Sequence, residues 1–498
     1  MNRPASGLRK PCPPELIDAL RAQFGDRLST SPAIREHHGK DESAFPIAPP
    51  DAVVFPQSTE ECVEVIKRCA QHNTNIIPYG VGTSLEGHVL AIHGGVCVDM
   101  SRMNNIVAVN VEDLDCTVQA GVTRKQLNQH LQHTGLFFPI DPGADATLAG
   151  MAATRASGTN AVRYGTMREN VLGLTVILAD GRVIKTGGRS RKSAAGYDLT
   201  RLFVGSEGTL GLITEVTLRL YPQPEAASAA TCTFPTIDAA VRTVIQTIQL
   251  GVPIARCELL DALTIKAVNG YSKLGLREAP MLFCEFHGTA ASVAEQAQTV
   301  QDIAREQGGM DFEWATKQEE RTRLWQARHD AYPACLRLKS GGRAMSTDVC
   351  VPISRLAECI AETNQDVQSS PLQMALFGHV GDGNFHIAIM VDPNNPHDLE
   401  EAERINNRVV SRALAMNGTC TGEHGIGFGK LDFLDAEHGE AVSVMRSIKL
   451  ALDPRNLFNR GKVIRNNATA IFDALAALPN DFMADGREDT PPQSREDF

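Results

Sequence analysis

Short apolar runs and amphipathic stretches alternate through the first half of the chain. Val53, Val54 and Phe55 make an apolar run, and Ser58 with Glu61 behind it has the spacing of a capped helix start. Cys62, Val63, Ile66 and Cys69 or Ala70 then recur near one face of a helix over 59–72. Ile76 and Ile77 return as a strand, so the unit predicts a parallel strand pair joined by a helix. Branched apolar runs predict strands over 96–100, 106–109 and 117–119, and Thr123 opens a helix over 123–133. An apolar strand over 171–178 meets Asp180 and Gly181, a tight-hairpin signal, before the returning strand 183–185; a long strand over 210–220 follows.

After Pro222 the pattern changes. Strand 230–234, helix 237–250, strands 255–259 and 281–287, helix 292–306 and strand 312–315 run in the ferredoxin-like order. A helix over 325–338, a strand over 346–351, a helix over 352–366 and strands at 374–377 and 387–391 enlarge that sheet. Helices over 397–416 and 439–452 follow, and 453–464 is expected to fold back on the first half. The division is therefore a leader over 1–45 containing a helix at 15–24, a first domain over 46–223, a second over 224–465, and a mobile tail over 480–498. The tail is acidic and contains prolines without periodic apolar positions.

Composition narrows the function. A chain of 498 residues exceeds what one core accommodates. Its net charge of −11 has no basic block to offset it and argues against a nucleic-acid partner. Apolar runs fall short of the roughly 18 residues that a membrane-spanning helix needs. The first residues carry basic groups without an apolar stretch behind them, so a secretory signal is not expected. Twelve cysteines show no C-x-x-C spacing, which predicts reduced thiols in a cytoplasmic chain and no iron–sulfur or haem centre.

The stretch 78–88, PYGVGTSLEGH, follows a strand and places Gly80, Gly82 and Gly87 beside Thr83 and Ser84. Such a loop can turn successive N–H groups toward a pyrophosphate, although a glycine-rich surface turn has the same composition. It is neither a Rossmann fingerprint, because Leu85 stands where glycine is needed, nor a P-loop. Three further segments follow in order: Phe138 to Gly143, Ala152 to Gly165, and GSEGTLG over 205–211.

Together these four segments resemble the FAD domain of the vanillyl-alcohol oxidase type, the FAD-linked oxidases, over roughly residues 45–465. The resemblance implies an α+β fold: a PCMH-type FAD-binding domain, then a ferredoxin-like, elaborated α+β substrate or cap domain. It implies that FAD is held by Pro78, Gly80, Gly82, Thr83, Ser84, Leu85, Gly87, His88, Pro142, Gly143, Gly150, Ala153, Ser157, Gly158, Asn160, Tyr164, Gly165, Glu207, Gly208, Gly211 and Ile213. Thr83 stands where some members carry a flavin-linking histidine, so the FAD is expected to be non-covalent.

In the second half, Gly378 to His386, GHVGDGNFH, joins two strand-like flanks through glycines and an Asp-Gly turn. His379 and His386 would face apart on a straight strand, but a turn lets them converge. Two imidazoles with a carboxylate suit Zn²⁺ or Mn²⁺. Glu423, in the glycine-flanked TGEHGIG, is the carboxylate candidate and Asp382 its competitor; two structural histidines are the alternative.

This part resembles the C-terminal domain of cytochrome-type D-lactate dehydrogenases, D-2-hydroxyglutarate dehydrogenases and glycolate oxidase flavin subunits. The resemblance implies that His379, His386 and Glu423 bind a metal, that His424 is the catalytic base, and that Arg328 clamps the substrate carboxylate. A lysine that hydroxyglutarate enzymes use is absent near Ser346, which points to a monocarboxylate such as lactate, unless Arg343 substitutes for it. The expected activity is FAD-dependent oxidation of D-lactate, with a glycolate oxidase flavin subunit as the alternative and a D-2-hydroxyglutarate dehydrogenase behind it. Electrons would leave to an external cytochrome, quinone or electron-transfer flavoprotein. A homodimer and peripheral attachment at the inner membrane are compatible with this picture.

Overall fold

Helix Thr59–Gln71 starts where the Ser58 hydroxyl accepts the Glu61 N–H, and it buries Cys62, Val65, Ile66, Cys69 and Ala70. Val65 takes the inward place expected for Val63, which is only partly buried. These are features of a computed structural model that describes residues 9–339, 341 and 343–465; the tail expected over 480–498 lies outside the described residues.

The two strands flanking this helix, Ala52–Val54 and Ile76–Tyr79, do not pair with each other. Val96–Asp99 inserts between them and runs parallel to both. A second, antiparallel sheet orders Ile106–Asn110, Asp115–Gln119, Leu212–Arg219, Val171–Ile177 and Val183–Lys185. Its Asp180-Gly181 hairpin depends on Gly181 at φ +86°. Side chains from both sheets merge in one core.

The chain passes from Tyr221–Pro222 to Ala226–Thr233 and enters a new sheet. Its first four strands lie in the spatial order Met310–Ala315, Ala226–Thr233, Met281–Gly288, Arg256–Leu260, all antiparallel, which is the ferredoxin-like arrangement. Met374–Gly378, Asn384–Val391 and Arg343–Ser346 extend it beyond Arg256–Leu260. In this second lobe two helices escaped the pattern reading. Ala262–Ser272, capped by the Asp261 carboxylate on the Thr264 N–H, fills what looked like a hairpin connection, and Leu431–His438 follows the TGEHGIG loop. The helix expected over 325–338 is two helices, Gln318–His329 and Ala331–Leu336.

The last described stretch returns to the first lobe. The Ile76 N–H donates to the Leu457 carbonyl at 2.8 Å and the Asn459 N–H to the Ile76 carbonyl at 2.9 Å. Leu457 and Phe458 are buried in the first lobe's core. The exposed edge of the parallel sheet is thereby covered.

Candidate active site

A cavity of about 570 Å³ lies between the lobes. From the first lobe, Pro78, Gly80, Gly82, Thr83, Ser84, Leu85 and His88 line it, with Pro142, Gly143, Gly150, Ala153, Ser157, Glu207, Gly208, Gly211 and Ile213. At all of these glycines but Gly143 an added Cβ would meet a neighbouring atom closer than 3.0 Å. A Cβ on Gly80 would fall 2.4 Å from Thr147 Oγ1, and one on Gly208 2.9 Å from Pro78 Cγ. The wall is thus bare backbone with hydroxyls among it and apolar groups such as Met100 and Leu212 further along, a chemistry that fits a dinucleotide carrying a ring system.

Five residues expected at the cofactor lie outside the cavity lining. Gly87, at φ +78°, backs onto Phe45, Leu90 and Phe428, and Gly158 packs on the Asp141 backbone. Asn160 donates to the Pro139 carbonyl and accepts from Arg256 Nε; the Tyr164 hydroxyl lies 2.8 Å from His287 Nδ1. Gly165, at φ +76°, ends the short helix Ala161–Tyr164. These residues shape and brace the loops behind the cavity wall.

At the other end, strand Met374–Gly378 gives way to a tight turn at Val380–Asp382, and Gly383 at φ +80° starts the chain back into Asn384–Val391. The turn brings the His379 and His386 rings to 5.5 Å, so the two imidazoles converge. Glu423 Oε1 stands 3.0 Å from His379 Nε2 and 3.3 Å from His386 Nε2. His386 Nδ1 faces the Thr347 carbonyl at 3.2 Å and His379 Nδ1 faces Glu258 Oε1 at 2.8 Å, so each Nδ1 has an acceptor for its proton. Both Nε2 lone pairs then point at a carboxylate, an arrangement of acceptors that a cation completes. Burial would depress the His379 imidazole, but Glu258 and Glu423 outweigh it and hold its pKa well above the usual value. Two carboxylates thus flank one imidazole, surroundings that favour positive charge there.

Asp382 remains in the turn, where its carbonyl accepts from the Cys350 thiol. A second grouping, Asp348, His386 and His424, also keeps its ligand atoms within 4.8 Å of one another. It is a frame rather than a ligand set. The Asp348 carboxylate already accepts from Thr421 Oγ1, Asn384 Nδ2 and the N–H groups of Glu423 and His424, and so fixes the 421–424 loop. The His424 ring stacks on His386 at 4.9 Å, and its buried Nδ1 has no hydrogen-bond partner. Burial pushes its pKa down to about 4, leaving a neutral imidazole able to accept a proton.

Arg328 reaches the cavity wall but is not alone there. Its Nε and Nη2 lie 2.9 and 2.6 Å from Glu258 Oε2, and its guanidinium sits 5.4 Å from the Phe377 ring centroid. Ser346 lines the cavity, whereas Arg343 is an exposed edge-strand residue away from it. Glu258 went unnoticed in the sequence, although an acid inside the apolar strand Arg256–Leu260 was a visible signal. Glu207 lines the cavity, yet its carboxylate is turned to the second lobe, accepting the Ile426 and Gly427 N–H groups at 2.7 Å each. His88 Nε2 stands 3.0 Å from Glu207 Oε2 without hydrogen-bond alignment. Lys430 adds a second tie across the lobes, 3.1 Å from Glu86 Oε1 and 3.8 Å from Asp348 Oδ2.

Residues 50–187 match the FAD binding domain family and residues 223–463 the FAD linked oxidases, C-terminal domain. A probable mitochondrial D-lactate dehydrogenase of Danio rerio is 53% identical over 459 residues, which are 91% of this chain and 92% of that protein. The chain belongs to the FAD-linked oxidases. A mitochondrial D-lactate dehydrogenase [cytochrome] of Arabidopsis thaliana shares 49% identity with this FAD-linked oxidase over 92% of the chain and 81% of the relative. The glycolate oxidase subunit GlcD of Bacillus subtilis shares 35% over 84% and 90%. Among solved structures, substrate-bound p-cresol methylhydroxylase superposes with a TM-score of 0.75 at 18% identity, over 91% of this chain and 96% of that one. The α+β, PCMH-type architecture is therefore that of this FAD-linked oxidase. Among the described residues no helix is long and apolar enough to cross a membrane.

Proposed function

We propose that this FAD-linked oxidase oxidises a 2-hydroxy acid, D-lactate foremost, to the 2-oxo acid and passes the electrons to an acceptor outside the chain. One observation carries the reading: the ligand atoms of His379, His386 and Glu423 converge beside the His424 ring, on the wall of the same cavity that the glycine loop closes from the other side. The 53% identity to a probable D-lactate dehydrogenase supports the choice of substrate.

His379 Nε2, His386 Nε2 and Glu423 would hold a divalent metal, Zn²⁺ or Mn²⁺, which when bound acidifies a hydroxyl on its open side. The backbone of the 78–88 loop and the Gly208 turn would hold FAD non-covalently, and FAD supplies the acceptor for the Cα hydride. Arg328 takes the substrate carboxylate on the part of its fork that Glu258 leaves uncovered. His424, neutral and on a loop whose backbone Asp348 holds, receives the hydroxyl proton on a ring nitrogen. The closed interlobe ties at Glu207 and Lys430 keep the loop that bears Glu423 and His424 against the cavity. Ser346, a small neutral group in the lining, offers no charge for a second carboxylate, which favours a monocarboxylate.

All twelve cysteines are unpaired, so no disulfide stands ready to take electrons from the flavin. A cytochrome, a quinone or an electron-transfer flavoprotein would serve as the external acceptor. The test is anaerobic mixing of the purified holoenzyme with D-lactate, L-lactate, glycolate and D-2-hydroxyglutarate, followed at the flavin absorption band with and without a chelator. Rapid bleaching by D-lactate, abolished by the chelator, is expected. Preferential bleaching by glycolate or D-2-hydroxyglutarate would replace the substrate assignment, and no bleaching by any of the four would overturn it.

A further inference from the structure

Behind the cavity wall, one buried carboxylate holds two groups that the proposed chemistry needs. Glu258 lies on Arg256–Leu260, a strand paired on both sides, with Met281–Gly288 and Met374–Gly378. It is 1% exposed and does not itself line the cavity. Its Oε1 accepts from His379 Nδ1 at 2.8 Å, and its Oε2 takes Arg328 Nε at 2.9 Å and Nη2 at 2.6 Å. The imidazole and the guanidinium both belong to the cavity lining, each with one end pinned to its own oxygen of the same carboxylate.

We propose that Glu258 is a positioning residue that sets the span between the metal-ligating imidazole of His379 and the carboxylate-binding guanidinium of Arg328, and thereby selects 2-hydroxy acids over 3-hydroxy acids. This rests on the reading given above and deepens it. A carboxylate on a central strand is a rigid spacer, because neither oxygen can follow one partner without dragging the other. A 2-hydroxy acid carries its hydroxyl and carboxylate on adjacent carbons, and a 3-hydroxy acid inserts one further bond of about 1.5 Å between them. A site whose two anchors are joined through a single carboxylate cannot stretch to follow, and a misplacement on the order of 1 Å lowers a rate about a hundredfold. Glutamine cannot do the same work: its amide oxygen accepts from one partner, and its NH₂ then meets another donor. Aspartate keeps the charge but is one methylene too short to reach both.

The experiment compares the wild-type holoenzyme with Glu258→Gln and Glu258→Asp. It measures FAD content, Mn²⁺ and Zn²⁺ affinity by chelator competition, and KM and kcat for D-lactate and D-3-hydroxybutyrate. In the aspartate variant, FAD content is expected to stay full, metal affinity to fall at least tenfold and the D-lactate KM to rise at least tenfold. The kcat/KM ratio of the 2-hydroxy to the 3-hydroxy acid should also drop at least tenfold. A carboxylate that merely stabilises the core would lower the melting temperature while leaving that ratio and the metal affinity within twofold of wild type, and this result overturns the proposal. Should neither variant fold, Arg328→Lys reads the same coupling: without the fork on Glu258, metal affinity is expected to fall at least threefold, and an unchanged affinity refutes the shared anchor. Wild-type protein that binds metal but is not reduced by any 2-hydroxy acid would sink the functional reading instead, while the metal affinities still judge the anchor.

Discussion

His424 and Glu423 are neighbours in sequence with opposite surroundings. Glu423 is only partly exposed, but the imidazoles of His379 and His386 overcome the desolvation penalty and hold its carboxylate well below the usual range. His424 has no charge partner as close; the nearest Asp348 oxygen is 4.0 Å from its Nδ1, and burial prevails. One residue is thereby kept as an anion for a cation to meet, the other as a neutral base. Replacing His424 by alanine is expected to leave FAD bound and metal affinity intact while kcat falls roughly 10²–10⁴-fold, read as flavin that no longer bleaches promptly with D-lactate. Full-speed bleaching in that variant would remove His424 from the reaction. These residues were legible because histidines and glycines cluster there in short, non-helical segments. Glu258 was not, since its importance depends on two partners, 70 and 121 positions away, that helix Gln318–His329 and the pairing with strand Met374–Gly378 bring to it.

At the scale of elements, the capped and periodic pieces were readable and the topological insertions were not. Helix Thr59–Gln71 announced itself through Ser58 and an apolar face, and Ser58→Ala is expected to destabilise the fold by about 1 kcal/mol, measured by denaturant unfolding. Helix Ala262–Ser272 mixes Lys266, Asn269 and Gly270 into a short stretch between two strands, so its periodicity was too weak to register. Strand Val96–Asp99 was visible as a strand, but its place between the two strands of the presumed pair is a matter of tertiary pairing that no local pattern encodes. The segment 205–211 shows a related limit. Gly208 and Gly211 line the cavity as expected, while Glu207 holds the backbone of Ile426 and Gly427 across the lobe boundary. Glu207→Ala is expected to weaken metal affinity severalfold, by freeing the loop that carries Glu423, with D-lactate turnover falling in parallel; chelator competition on the purified variant measures it, and unchanged affinity would show that the loop holds its place without the tie.

For the whole molecule, the cofactor loop and the proposed metal site belong to different lobes, and the cavity exists only where the two meet. The non-covalent attachment expected from Thr83 predicts that acid precipitation leaves the FAD in the supernatant, recoverable in the amount that the native protein carried; yellow pelleted protein would contradict it. The backbone bonds from Ile76 to Leu457 and Asn459 have a further implication, for the order of events in biosynthesis. Strand Ile76–Tyr79 leads straight into the 78–88 loop, and Lys462 and Asn459 both donate to the His88 carbonyl inside it. A nascent polypeptide on the ribosome therefore lacks the neighbours of its own nucleotide cradle until residues 371 and 374 positions beyond His88 have been added. Firm seating of the cofactor is therefore expected only once both lobes have been made.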